Sequence, residues 1–270
     1  MQYDKVKTSL GTAFNKHPLF RILFYKMLDL LLLRAWHVRK EIRRFRKNKA
    51  AEAAILDAGA GFGQYTYFLS NLSSAYHITA VDVKQEQIDD CNAFFSRRGL
   101  SGRVNFQYAD LTTFSKTGSY DLVISIDVME HIEDDRAVFR NFFQSLKPGG
   151  MLLISTPSDQ GGSDVHDHSE NSFIEEHVRD GYSMDDIREK LTSAGFQKVE
   201  TRYTYGTPGQ ISWAISMKYP MLLLGFSRIF FILLPFYYLV TFPFCILLNL
   251  MDVSGNHASG TGLLVKAFKA

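Results

Sequence analysis

The chain is poor in cysteine: Cys91 and Cys245 are the two present among 270 residues. Two thiols cannot build a disulfide framework, so a stapled secreted scaffold is excluded and a reduced, cytosolic setting is expected. An excess of one charge is also missing. Thirty Lys and Arg stand against 28 Asp and Glu, which gives no general reason to expect nucleic acid as a partner. A disordered composition is absent too, because 46% of residues are hydrophobic and 21% charged. The opening MQYDKVKTSLG has no apolar core of the kind a signal peptide carries. No repeat or low-complexity tract is visible.

What is present is unevenly spread. FRILFYKMLDLLLLRAW (residues 20–36) is rich in Leu and Phe but is interrupted by Arg21, Lys26, Asp29 and Arg34. Those charges argue against a buried span. They leave a helix lying on a membrane surface or packed on the main domain. RKEIRRFRKNK (39–49) follows, with seven basic residues and one Glu. It reads as a solvated helix face or as a patch drawn to anionic lipid headgroups.

Residues 53–200 alternate apolar runs with helix-period segments. AAILDA, HITAVDV, RVNFQYAD, YDLVISID and MLLIST read as strands buried on both faces. The alternation predicts an α/β fold with a doubly wound, largely parallel sheet. ILDAGAGFGQY (55–65) is the strongest local signal: a buried strand, Asp57, then Gly59, Gly61 and Gly63 at a helix start. Glycines suit a sharp turn that approaches a ligand closely. The spacing is one residue short of the dinucleotide fingerprint, and a second strand ends in Asp82, where an acid can accept hydrogen bonds from ribose hydroxyls.

LDAGAGFG, VDV, QYADL, YDLVISIDVMEHI, LKPGGMLLISTP and MDDIREKLTSAGF, in that order, resemble the class I S-adenosylmethionine-dependent methyltransferases, with similarity to the ubiquinone-pathway O-methyltransferases. The resemblance covers residues 53–200 and the final strand. It implies a seven-stranded Rossmann-like sheet whose last strand runs antiparallel between the fifth and sixth. It implies S-adenosylmethionine as cofactor, with Asp57 and the three glycines around the methionine end and Asp82 on the ribose. Val83 would lie against the adenine, Asp110 beside Leu111 would reach its amino group, and Asp127 would line the methionine side.

The segment D-V-M-E-H places Asp127, Glu130 and His131 at i, i+3 and i+4, so a helix starting there would share them on one face. With the later His177 they could ligate a divalent metal, Mg2+ or Mn2+, in a pattern similar to metal-using methyltransferases with E-x-x-E-H and a distant His. His166 and His168 are rival ligands. Alternatives are catalytic work by His131 with Glu130, with His131 as general base, and a structural role.

The last zone bears on the acceptor. From Tyr203 to Met251 the charges are Lys218 and Arg228, and residues 229–251 are 23 uncharged residues broken by Pro235 and Pro243, long enough for a bilayer core. KVETRYTYG and LLVKAFK read as the sixth and seventh strands, which pair in this fold, so the segment between must leave and return to one edge, with a bend within 218–228. The expected organisation is an N-terminal apolar and basic helical region (1–52), a methyltransferase domain (53–206 with 262–270) and an apolar membrane-associating insertion (207–261). The expected partners are a hydrophobic or lipid-linked substrate and a membrane, met from its cytoplasmic face. A homodimer through an apolar lid is the alternative reading of the insertion.

Overall fold

The structure is a computed structural model describing residues 18–48, 52–161, 178–227 and 230–270. Seven strands form one sheet: β1 (Ala53–Ala58), β2 (Tyr76–Asp82), β3 (Val104–Tyr108), β4 (Tyr120–Ile126), β5 (Leu146–Pro157), β6 (Lys198–Thr204) and β7 (Gly262–Phe268). The order is β3-β2-β1-β4-β5-β7-β6. β7 runs antiparallel to both neighbours, with Pro157↔Gly262 and Thr204↔Gly262 in register, as the resemblance implies. β5 begins at Leu146, so LKPGG lies within the strand rather than before it.

Strand alternation divides the core. Ile55, Ile78, Leu122, Ile124 and Leu153 face one side. Leu56, Val81, Val123, Leu152 and Ile154 face the other. Helices α1 (Pro18–Leu31), α2 (Leu33–Asn48), α3 (Gln64–Leu72) and α4 (Gln85–Arg97) supply Tyr25, Val38, Ile42, Leu69 and Phe94 to the first core. α5 (Asp135–Ser145) and α6 (Met184–Ser193) supply Phe139, Phe142 and Leu191 to the second. Helix caps are local: the Asp134 carboxylate accepts from Ala137 N, and the Ser183 hydroxyl from Asp186 N.

α1 is thus packed on the domain, the second of its two sequence readings. Arg21 is 4% exposed, donates to Asp90 O and Phe62 O, and lies over the Phe94 ring. Its remaining face, including Leu19, Phe20 and Leu23, is exposed.

The chain leaves the sheet after β6 as α7 (Thr207–Trp213), passes through a π turn (Ala214–Lys218) into α8 (Tyr219–Phe226), and returns as α9 (Phe230–Ser254). The bend is at Ser227, and Lys218 sits inside continuous helix. Pro235 and Pro243 do not interrupt α9, contrary to the sequence expectation. A proline removes one helix hydrogen bond, and the remaining turns carry the element through. The π turn leaves carbonyls for side chains: Tyr237 donates to Ile215 O and Tyr238 to Ser216 O. Since β6 ends and β7 begins at the edge where β5 ends, this helical hairpin projects from the C-terminal edge of the parallel strands.

Candidate functional site

That edge is where an open α/β sheet takes ligands. β1 delivers Asp57 and then the glycine turn. Gly59 has φ 79°, and a Cβ there would lie 2.3 Å from Val128 Cγ2, so Val128 closes that side of the turn. Gly61 has φ 52°, and a Cβ would meet only Gln87 Oε1, at 3.9 Å; the left-handed turn here opens outward rather than into packing. Gly63, φ 76°, precedes α3. From outside, Tyr25 and Arg21 both donate to Phe62 O, so α1 clamps the turn.

Asp57 is buried and accepts from Thr66 Oγ1 at 2.6 Å. Burial, less the relief from Thr66 and reinforced by the Asp82 charge, pushes its carboxyl up to about 7. Asp82 Oδ2 accepts from Gly61 N at 2.8 Å and Oδ1 from Lys84 N at 3.0 Å. Val83 and Tyr108 are 55% and 61% exposed beside Asp82. Asp110 is exposed, and Thr112 donates to it twice; these bonds hold its carboxyl below the usual range. Leu111 is buried beneath it. The structure therefore brings Asp57, Gly59, Gly61, Gly63, Asp82, Val83, Asp110 and Leu111 to one edge.

The D-V-M-E-H segment folds differently from its sequence reading. Asp127 ends β4 with φ 52° and precedes a short 3-10 turn, Met129–His131, so Asp127, Glu130 and His131 do not share a helix face. Asp127 is paired with Arg34. Glu130 is 1% exposed and turns inward, accepting from Thr156 Oγ1 at 3.0 Å. Burial raises its carboxyl. His131 is exposed. Among the described residues no group of three His, Cys, Asp or Glu could hold a metal; His166, His168 and His177 lie outside the described residues. The shared helix face expected of Asp127, Glu130 and His131 is therefore corrected, while His177, the fourth expected ligand, lies outside the described residues.

Arg34 is a site residue that the sequence reading took only as a charge against membrane burial. Its backbone N–H, a first-turn donor without a helical partner, donates to Tyr205 Oη at 3.1 Å. Tyr205 itself has φ 54°. Arg34 Nε and the Tyr65 hydroxyl are buried without a hydrogen-bond partner among the described residues, and burial lifts Tyr65 to about 12. The Arg34 guanidinium and Tyr65 hydroxyl as donors, with the Asp127 carboxylate as acceptor, suit a ligand with both a carboxylate and an amine.

Residues 55–150 match the family described as "Methyltransferase domain". Over those residues the chain carries a methyltransferase domain. Among similar proteins, phosphoethanolamine N-methyltransferase 1 of Arabidopsis thaliana is 33% identical over 151 residues, covering 54% of this chain and 29% of its own. Ubiquinone biosynthesis O-methyltransferase of Rickettsia canadensis is 29% identical over 109 residues, covering 40% of this chain and 44% of its own. The chain spans less than a third of the plant relative's length. Phosphoethanolamine N-methyltransferase 2 of Haemonchus contortus, solved with S-adenosyl-L-methionine, shares the fold with a TM-score of 0.57 at 19% identity, covering 86% of this chain and 52% of that one. The glycine turn, Asp82 and the Asp127–Arg34 pair could hold S-adenosyl-L-methionine, the molecule in the Haemonchus structure.

Proposed function

We propose that the chain transfers a methyl group from S-adenosylmethionine to a lipid-linked or isoprenoid acceptor, at a hydroxyl oxygen, on a membrane surface. The donor supplies an already activated methyl group, so the protein's work is to hold both partners in line and exclude water. Asp82 is placed to take the ribose hydroxyls. Val83 and Tyr108 offer apolar surface to the adenine, and Asp110 beside Leu111 its polar edge. Arg34, Asp127 and Tyr65 face the methionine end. Exposed His131, rather than buried Glu130, is the group able to accept a proton from an acceptor hydroxyl.

The observation that carries the membrane reading is the hairpin's inverted polarity. Its buried positions among the described residues are Gly209, Ser212, Ser216, Pro220, Cys245, Asn249 and Asp252. Its exposed positions include Ile232, Phe236, Leu239, Val240 and Phe244, each 65% exposed or more. Small and polar inside with apolar outside is how helices pack in lipid. Placing each such large side chain in hydrocarbon is worth about 1.5–3 kcal/mol. Phe231–Ser254 is, among the described residues, the helix long and apolar enough to cross a membrane, with mean hydropathy 2.2. Because both ends of the hairpin join the sheet edge that bears the donor site, an acceptor dissolved in the bilayer would be presented there.

The test is incubation of labelled donor with the full chain and a total lipid extract. Label in an organic-extractable product, lost in Asp82→Ala, is the expected result. Label confined to water-soluble products contradicts it.

A further inference from the structure

A cavity of about 230 Å³ lies away from the donor edge, between the middle of α2, the β6–β7 pair and the loop after α9. Lys40, Arg44, Arg202 and Lys266 line it, with Glu41 and Glu200 as its acids. The acids are already engaged. Glu41 pairs with Arg44, Arg202 and Lys266, and Glu200 with Lys266 and Lys198. Lys40 has no carboxylate partner among these pairs and donates to Val253 O at 2.5 Å. Burial, then the charges of Arg44 and Arg202, depress its pKa. Arg202 Nε is buried with no hydrogen-bond partner among the described residues. Four cations over two carboxylates leave an excess of two positive charges, with two guanidinium forks among them.

The rim gives the cavity its setting. Ser254, Gly255 and Asn256 line it, and Met251, three residues earlier on α9, is 51% exposed. Three residues of helix rise about 4.5 Å, so the cavity opens one turn beyond the apolar surface of the hairpin. Arg43, Arg46 and Lys47 are exposed on the same helix as Lys40 and Arg44.

We infer that this cavity binds a phosphate group, presented at the level of the headgroups by an anionic phospholipid. Guanidinium forks and an ammonium with no carboxylate ion pair among the described residues match phosphate oxygens, and the ligand's charge cancels the local excess. The phosphate site stands on the cavity alone; the lipid source rests on the membrane reading of the hairpin.

The test uses the full chain in detergent titrated with inorganic phosphate, and bound to phosphatidylcholine vesicles with and without phosphatidylglycerol. Lys40→Gln/Arg44→Gln removes cavity charge. Asn256→Trp fills the mouth with charge unchanged. Arg46→Gln/Lys47→Gln removes equal charge outside. Both cavity variants should lose the phosphatidylglycerol-dependent gain by roughly tenfold or more, while the outer pair loses less than about threefold. Binding of inorganic phosphate that both cavity variants abolish also supports the site and assigns it a free phosphate. Equal losses in all three variants, or none in Asn256→Trp when it retains donor binding, overturn the proposal. Failure to bind pure phosphatidylcholine strikes the hairpin reading and leaves the inorganic phosphate titration to decide the cavity.

Discussion

The donor edge and the apolar hairpin grow from the same end of one sheet but are built by opposite rules. At the donor edge, polar groups surround an opening above an apolar core: Asp82, Asp110 and Asp127 stand over Leu111, Val81 and Ile124. In the hairpin the polar groups are inside. Asp252, fully buried, accepts from Gly209 N and Tyr205 N and binds His37 at 2.8 Å, while phenyl and leucyl groups face outward. The first arrangement suits a small polar ligand in water. The second suits apolar surroundings, which the proposed membrane would supply. The hairpin is not a separable appendage either, since Asp252 ties it to α2 and to the end of β6.

Asp252→Ala should be the most damaging change. It strips a buried carboxylate from His37, whose pKa burial lowers, and from two backbone donors, a loss worth about 1–3 kcal/mol for each donor left unmet, read as a lowered midpoint of unfolding in detergent. If stability were unchanged, the hairpin would be independent of the domain.

Gly59→Ala comes next, because its Cβ meets Val128 at 2.3 Å in a left-handed conformation. Overpacking of this kind costs about 1–3 kcal/mol, and donor binding measured by calorimetry should fail with it. The companion Val128→Ala should restore part of it.

Asp82→Ala should leave the fold intact and weaken donor binding by about 1.5–3 kcal/mol, the worth of a hydrogen bond to a charged group. Equal affinities would remove Asp82 from the site.

Asp57→Asn should act on pH dependence more than on stability. With the folded carboxyl near 7 and the unfolded one in the ordinary range, the proton is held by the folded state. Its stabilising contribution is complete below the unfolded value and is lost as pH rises through about 7. Urea midpoints should fall between pH 4 and 8 in the parent chain and fall less in the variant. A parallel decline in both would place the dependence elsewhere.

The smallest effect on folding is expected on the hairpin's outer face. Phe236→Ser with Leu239→Ser should move unfolding by less than about 0.5 kcal/mol per site yet shift the chain from the detergent-requiring to the soluble fraction. High salt should not release the parent, because it screens only charge.

Legibility in the sequence followed the range of the causes. β1 to β5 showed as local apolar runs and the glycine turn as a local need for left-handed backbone, whereas β6, with Lys198, Glu200 and Arg202, is polar and the antiparallel place of β7 came from the family resemblance. The places of Asp127, Glu130 and His131 could not be read directly. Their helical spacing is real, but the chain turns at Asp127 so that Val128 can pack against Gly59, a contact made across the sheet. Arg34 was equally hidden, since its partner Tyr205 is 171 residues away. The cavity at Lys40 and Lys266 likewise depends on the pairing of β6 with β7 against α2. The prolines of α9 misled because their cost to a helix is local, whereas the contacts of Tyr237 and Tyr238 with the π turn are not.

The most direct test of a membrane-facing catalytic edge uses Trp213, which is 36% exposed on α7. With Trp36→Phe leaving Trp213 as the sole indole, its fluorescence should be quenched by vesicles of phosphatidylcholine brominated on the acyl chains. The donor should still bind. Unchanged emission with brominated lipid, from a chain that runs as a monodisperse dimer without detergent, would contradict the account and make the hairpin a contact between two copies.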